Sequence, residues 1–295
     1  MAVKNSLVAK QEPQTFSAYI AQKKNSINSM VGQDGQKFMT AIISAVSNNP
    51  ALSECEYSTI LSAALLGEGL KLSPSPQLGQ YYLVPFNDKK RGCKVAQFQL
   101  GYKGYIQLAI RSGYYKKINV LAIKEGELIK YDPLNEEIEV KLIEDDIERE
   151  DAKTVGFFAM FEYQNGFRKT MYWSKNKMLK HADKYSAAFN ATDYKRLEEG
   201  KIPAGDMWKY SSFWYKDFDG MAFKTMLRQL ISKWGIMSIE MQKAYDGDMS
   251  MVKDDGTFDY IDNQVDDNVI IDSMPVENST PVEKTVENPA EEFFA

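Results

Sequence analysis

The dipeptide Asn165-Gly166 lies between two β-prone runs, 155–163 (VGFFAMFEY) and 167–173 (FRKTMYW). Asn-Gly readily takes the positive φ angles of a tight hairpin turn, so the middle of this chain is committed to antiparallel strands. Helical spacing brackets that commitment on both sides. Over 16–72, Phe38, Ile42, Ile43 and Val46 recur at helical intervals, and Ile60, Leu61, Ala64 and Leu65 repeat them after Asn49-Pro50. Over 208–234 the pattern is again that of one or two helices. Strands in the middle with helices at both ends predict an α+β domain: a central antiparallel sheet and hairpins, flanked by N-terminal and C-terminal helices.

Finer punctuation divides the chain further. Gly67 and Gly69 end the second apolar helix, and Pro74 and Pro76 prevent its resumption. Short β-prone runs at 82–84 and 95–100 flank a basic turn at 88–93. A helix is predicted at 101–112, strands at 117–123 and 137–143, a helix at 174–189, and a loop at 190–205. Residues 1–15 are polar, lack an apolar leader segment and are expected to be disordered. No run of about 18 apolar residues offers a membrane span.

The net charge of −5 on 295 residues hides a partition. Residues 246–295 hold 14 acidic and 2 basic side chains, whereas 1–245 hold 27 and 34. A basic body with an acidic tail points to a nucleic-acid partner. The reading is therefore a core domain over 16–245 and a disordered acidic tail over 246–295. Cys55 and Cys93 stand far apart with no metal-ligand spacing, which fits a reducing cytoplasm.

The basic character concentrates in 89–124, which holds nine cations and no acid: Lys89, Lys90, Arg91, Lys94, Lys103, Arg111, Lys116, Lys117 and Lys124. Phe98, Tyr102, Tyr105, Tyr114 and Tyr115 are interleaved. A single strand asks for cations along its phosphates and ring faces for its bases. Within the predicted helix, Tyr102, Tyr105, Ile106, Ala109 and Ile110 form a core-facing stripe, while Lys103, Gln107 and Arg111 fall every fourth residue on a neighbouring face. Two helical turns cover about 12 Å, which suits two or three phosphates of an extended strand. Gly101 and Gly104 would admit a close backbone. The same pattern also suits a solvated basic face over a core helix.

Farther on, Phe223, Leu227, Leu230, Ile231 and Trp234 make an apolar stripe flanked by Lys224 and Arg228, with Asp217 and Asp219 upstream. A buried amphipathic helix with dipole-complementing acids explains this spacing. A metal-dependent nuclease using Asp217, Asp219 and Glu144-Asp145-Asp146 is the alternative. The stretch 125–151, with 12 acids against 3 bases, also suits a solvated hairpin edge or a subunit contact.

Four blocks together resemble the RecT family of phage recombination proteins: GLKLSPSPQLGQYYLVP at 69–85, QLGYKGYIQLAIRSG at 99–113, MAFKTMLRQL at 221–230 and SIEMQKAY at 238–245. The resemblance covers roughly residues 35–245. It implies single-stranded DNA binding and annealing of complementary strands without ATP, no cofactor for binding, and Mg²⁺ as a modulator of annealing. It implies phosphate contacts by Lys103, Arg111, Lys224 and Arg228. It also implies homo-oligomeric rings or filaments, a phage exonuclease and a host single-strand-binding protein as partners, and the bacterial cytoplasm. Phe223 stands where many relatives carry Lys, and Gln229 where many carry Arg, which shifts weight onto Lys89, Lys90 and Arg91. The absence of a GxxxxGK[ST] loop agrees with ATP independence. His181, the one histidine, reads as a surface residue. The acids and aromatics of Glu291-Glu292-Phe293-Phe294 resemble the tips of single-strand-binding proteins and suit screening of the chain's own DNA groove, or docking on a partner.

Overall fold

The computed structural model describes residues 15–186 and 188–259. The disorder predicted for 1–14 and 260–295 falls outside the described residues. The α+β class holds, with helices at both ends of the strand region.

Three helices open the chain: α1 (Phe16–Val31), α2 (Gly35–Asn48) and α3 (Tyr57–Gly69). Thr15 caps α1 by accepting the Ala18 N–H. In α2 the predicted stripe is buried at Phe38, Ile42 and Val46. Buried residues run round α3 without a polar face, from Thr59 through Ala64, Leu66 and Gly67. It is therefore the central helix of the group, packed on the first hairpin.

That hairpin joins β1 (Tyr81–Asp88) to β2 (Cys93–Leu100), in register from Tyr81↔Leu100 to Asp88↔Cys93. α4 (Tyr102–Ser112) follows directly, then β3 (Tyr115–Lys124). β6 (Thr154–Tyr163) and β7 (Arg168–Ser174) are the hairpin that Asn165-Gly166 predicts, with Gly166 at φ +85°. They complete an antiparallel sheet in the order β3-β6-β7. The central sheet is accordingly three strands, and the remaining strands form separate two-stranded ribbons.

The acidic stretch folds as a unit between β3 and β6. β4 (Leu128–Asp132) pairs with β5 (Glu137–Val140), and α5 (Asp146–Asp151) closes it. Glu127 is buried at its base, bound by the Arg149 guanidinium at 2.6 Å and by the Lys124 and Ile143 N–H groups. Burial opposes its charge, but these donors outweigh burial and hold its carboxyl below the usual range. Sequence periodicity misses β4, because a ribbon lying at the surface carries acids on a strand.

α6 (Lys175–Tyr185) is shorter than predicted, and the predicted loop at 190–205 contains α7 (Ala191–Glu198). α7 is polar and buries only Tyr194, so no apolar stripe announces it, although Asn190 caps it through the Thr192 and Asp193 N–H groups. α8 (Phe213–Lys216), α9 (Phe218–Trp234) and α10 (Ile239–Gly247) end the helical part. α9 lies on the sheet through Phe218 and Phe223, both in ring contact with Phe157.

The chain does not leave the fold at Asp246. β8 (Met251–Val252) pairs with β9 (Phe258–Asp259), and Phe98 and Ser250 form a bridge from β2. Asp248, Ser250, Met251 and Val252 are all buried. The folded part thus reaches at least Asp259. Composition places the boundary too early because this acidic segment is anchored by cations elsewhere in the fold. Among the described residues, no helix is long and apolar enough to cross a membrane.

Candidate nucleic-acid interface

The block 69–85 and the block 99–113 meet in space. Gly101 donates to Gln80 O at 2.8 Å, and the Gln80 side chain accepts the Ser73 N–H at 2.7 Å. A Cβ on Gly101 would fall 2.1 Å from Gly79 O, and one on Gly104 would fall 2.2 Å from Gln80 O. The close backbone these glycines admit is the chain's own, not a ligand's. Their smallness seats α4 against the loop before β1.

That seating turns α4 so that Tyr105, Leu108 and Ala109 are buried while Lys103 and Gln107 are exposed. Ile110 is 57% exposed, so the core stripe is narrower than predicted. Lys103 forms no ion pair among the described residues; its ammonium stands 5.9 Å over the Tyr102 ring. Arg111 is partly occupied. Its guanidinium donates to Leu70 O and Lys71 O at the C-terminal end of α3, the negative end of that helix dipole.

Lys224 and Arg228 stand elsewhere than a solvent-facing phosphate track. Lys224 is buried and donates to Asp248 Oδ1 at 2.8 Å; Arg228 donates to Asp248 Oδ2 at 2.6 Å. The same carboxylate accepts the Leu100 N–H at 2.9 Å. Burial pushes the Lys224 ammonium below its ordinary range, with Asp248 acting in the opposite direction. The Arg228 guanidinium lies 4.1 Å over the Tyr245 ring, and its side chain keeps 29% exposure. A crevice lined by Tyr82, Gln99, Tyr102, Phe213, Asp217 and Lys224 has a volume of about 30 Å³. That is the room of about one water, so no base reaches Lys224 through it. Phe223 packs edge-on to Tyr102 at 5.5 Å and to Phe157 at 6.0 Å.

The other predicted cations are at the surface. Lys89, Lys90 and Arg91 form the β1–β2 turn, held by Asp88, which accepts the Lys90 and Arg91 N–H groups. Arg91 also pairs with Glu56 at 3.3 Å. Strands of this length put the turn on the order of 24 Å from the start of α4. Lys116 and Lys117, at the start of β3, both lie near Glu162, at 2.6 and 3.9 Å.

The carboxylates named for a nuclease are dispersed among structural tasks. Asp217 caps α9 by accepting the Gly220 N–H; Asp219 accepts the Thr154 hydroxyl; Asp145 caps α5. Among the described residues, no three His, Cys, Asp or Glu side chains converge to hold a metal.

A sequence profile of the RecT family matches residues 36–263. The chain belongs to the RecT family. It is 36% identical over 285 residues to the uncharacterized protein YqaK of Bacillus subtilis strain 168, covering 93% of this chain and 87% of YqaK. It is 30% identical over 199 residues to Protein RecT of Escherichia coli K12, covering 66% of this chain and 64% of RecT. The match to residue 263 reaches past Asp246, in agreement with a fold that includes Asp248. Membership places the chain among DNA recombination and strand-annealing proteins.

One basic cluster escapes a reading focused on 89–124. α6 carries Lys177, Lys180 and Lys184 around His181, and none of these three lysines forms an ion pair among the described residues. His181 is not a plain surface residue. It lies between Trp173 and Tyr185, with ring centroids at 5.3 and 4.5 Å. The helical recurrence of Lys and an aromatic over 173–185 is the signal that could have found it.

Proposed function

We propose that this protein binds single-stranded DNA along its phosphates and anneals complementary strands without ATP. The observation that carries this reading is the exposed Lys103–Gln107 row, fixed on α4 by the glycine-mediated seating, in a chain of the RecT family. Lys103 supplies charge and Gln107 a neutral donor one turn later. Arg111 extends the row with the donors its α3 contacts leave unused. Lys116 and Lys117 continue it into β3, and Lys89, Lys90 and Arg91 offer a further contact at the hairpin tip.

Contacts of this kind do not read sequence. They hold a strand extended, so that base pairing itself selects the partner. Each site is weak, and many subunits on one strand multiply the affinity. The working form is accordingly a homo-oligomer, as a ring or filament, on single strands and on the newly annealed duplex. Binding needs no cofactor; Mg²⁺ acts on annealing by screening strand repulsion. An exonuclease that exposes single strands and a host single-strand-binding protein are the partners this activity calls for, in the bacterial cytoplasm.

The direct test mixes complementary labelled oligonucleotides with the protein and no nucleotide. Accelerated duplex formation is the expected result. Cleavage of the strands in Mg²⁺ or Mn²⁺ would instead support the nuclease.

A further inference from the structure

We propose that α6, together with Trp173 and Lys233, forms a second nucleic-acid track that holds the strand to be paired. It rests on the annealing reading above.

The face is built from cations and rings in alternation. Lys177, His181 and Lys184 are spaced by four and three residues, which places them on one side of the helix over about 10 Å. The Lys177 ammonium stands 4.3 Å over Trp173, and Lys184 stands 5.2 Å over Tyr185. The opposite side is anchored by buried Met178, Leu179 and Ala182. A single strand offers phosphates to such cations and base faces to such rings.

The charges are crowded and unrelieved. Lys177, Lys180, Lys184 and Lys233 form no ion pair among the described residues, whereas Lys175 at the start of the same helix pairs with Glu198 at 2.7 Å. The one acid of α6, Asp183, is turned to the Ala191 N–H. Burial, then the proximity of Lys233, lowers the Lys177 ammonium from its ordinary range. Burial and the cations Lys177, Lys184 and Arg228 push His181 down to about 4, so it contributes a neutral ring at neutral pH. Like charges gathered without counter-charge cost stability, and an anionic ligand recovers that cost.

The position fits a second strand. Phe157 and Trp173 are directly opposed in the β6–β7 register, and their rings touch α9 and α6 respectively. Both helices therefore lie on one face of the sheet. α4 meets β3 at one edge, α9 lies across all three strands, and α6 lies over β6 and β7 toward the other edge. The Lys103 row and the Lys177 row are thus carried on helices that meet opposite edges of the sheet.

The test uses the full chain with Lys177→Ala, Lys184→Ala and Lys233→Ala combined, all at exposed positions, and a thermal melt to verify folding. Three quantities are measured: affinity for a labelled oligothymidine, capture of a second oligothymidine by the complex with the first, and annealing rate of complementary strands. First-strand affinity is expected to stay within about two-fold, while capture and annealing fall about ten-fold, as loss of three phosphate contacts implies. Lys103→Ala is expected to show the reverse order, losing first-strand affinity. Wild-type capture and annealing by the triple variant would overturn the second track. So would a first-strand loss in proportion to the capture loss, because α6 would then belong to the first track. Wild-type protein that captures a second strand but never speeds pairing would sink the annealing reading and leave the track standing.

Discussion

At the scale of single residues, the fold separates cations that hold the protein together from cations left exposed at the surface. Lys224 is of the first kind. Removing its partner leaves a charge stranded inside, so Asp248→Ala is expected to destabilise the fold by about 3–5 kcal/mol in urea unfolding. A loss under about 1 kcal/mol, the size of a surface pair, would mean that Lys224 reaches water. Lys103 is of the second kind. Lys103→Ala is expected to weaken binding to all sequences alike and to lower the salt slope by ~1; a loss confined to some sequences would count against backbone binding. His181 makes a pH signature. Its folded value of about 4 lies below the 6.5 of a free histidine, so the unfolded chain binds the proton more readily, and stability falls as pH drops from about 6.5 towards 4. Between pH 7 and 5 the wild type is expected to lose roughly 2 kcal/mol more than His181→Phe, which keeps the ring and removes the titration. Parallel profiles would show that the imidazole is not shielded as described.

At the scale of elements, local signals were legible and long-range ones were not. Asn165-Gly166 predicts its hairpin because a tight turn is decided by its own residues. The Lys103, Gln107 and Arg111 spacing predicts the outer row of α4 for the same reason. The roles of Gly101 and Gly104 depend on Gln80, and the fate of Lys224 depends on Asp248, 24 residues downstream in a segment that reads as tail. No window around α9 contains that partner. The seating of α4 can be tested with Gly104→Ala. Alanine favours the helix by up to ~1 kcal/mol, but its Cβ would fall 2.2 Å from Gln80 O. The collision is expected to win, with a net loss of about 1–3 kcal/mol. A stabilised variant would show that α4 and the 73–80 loop are not so close.

At the scale of the whole molecule, the charge partition survives with a moved boundary. Residues 260–295 still hold nine acids against one base, while Asp248 belongs to the core. Truncation at Gly247 would therefore remove the buried counter-ion of Lys224 along with the tail. Ending the chain after Asp259 separates the two effects. That form is expected to stay folded and, at fixed low salt, to bind single strands several-fold tighter if the acidic tail competes for the same cations. Unchanged affinity would leave the tail to partner docking. The proposed annealing is more general than any of these contacts: it would bring two complementary strands together with no nucleotide to drive it. Duplex formation between labelled complementary oligonucleotides, followed by fluorescence transfer without ATP, measures that directly. Acceleration by the wild-type chain is expected, attenuated by added salt and by Lys103→Ala. Tight single-strand binding with an unchanged rate of pairing would contradict it.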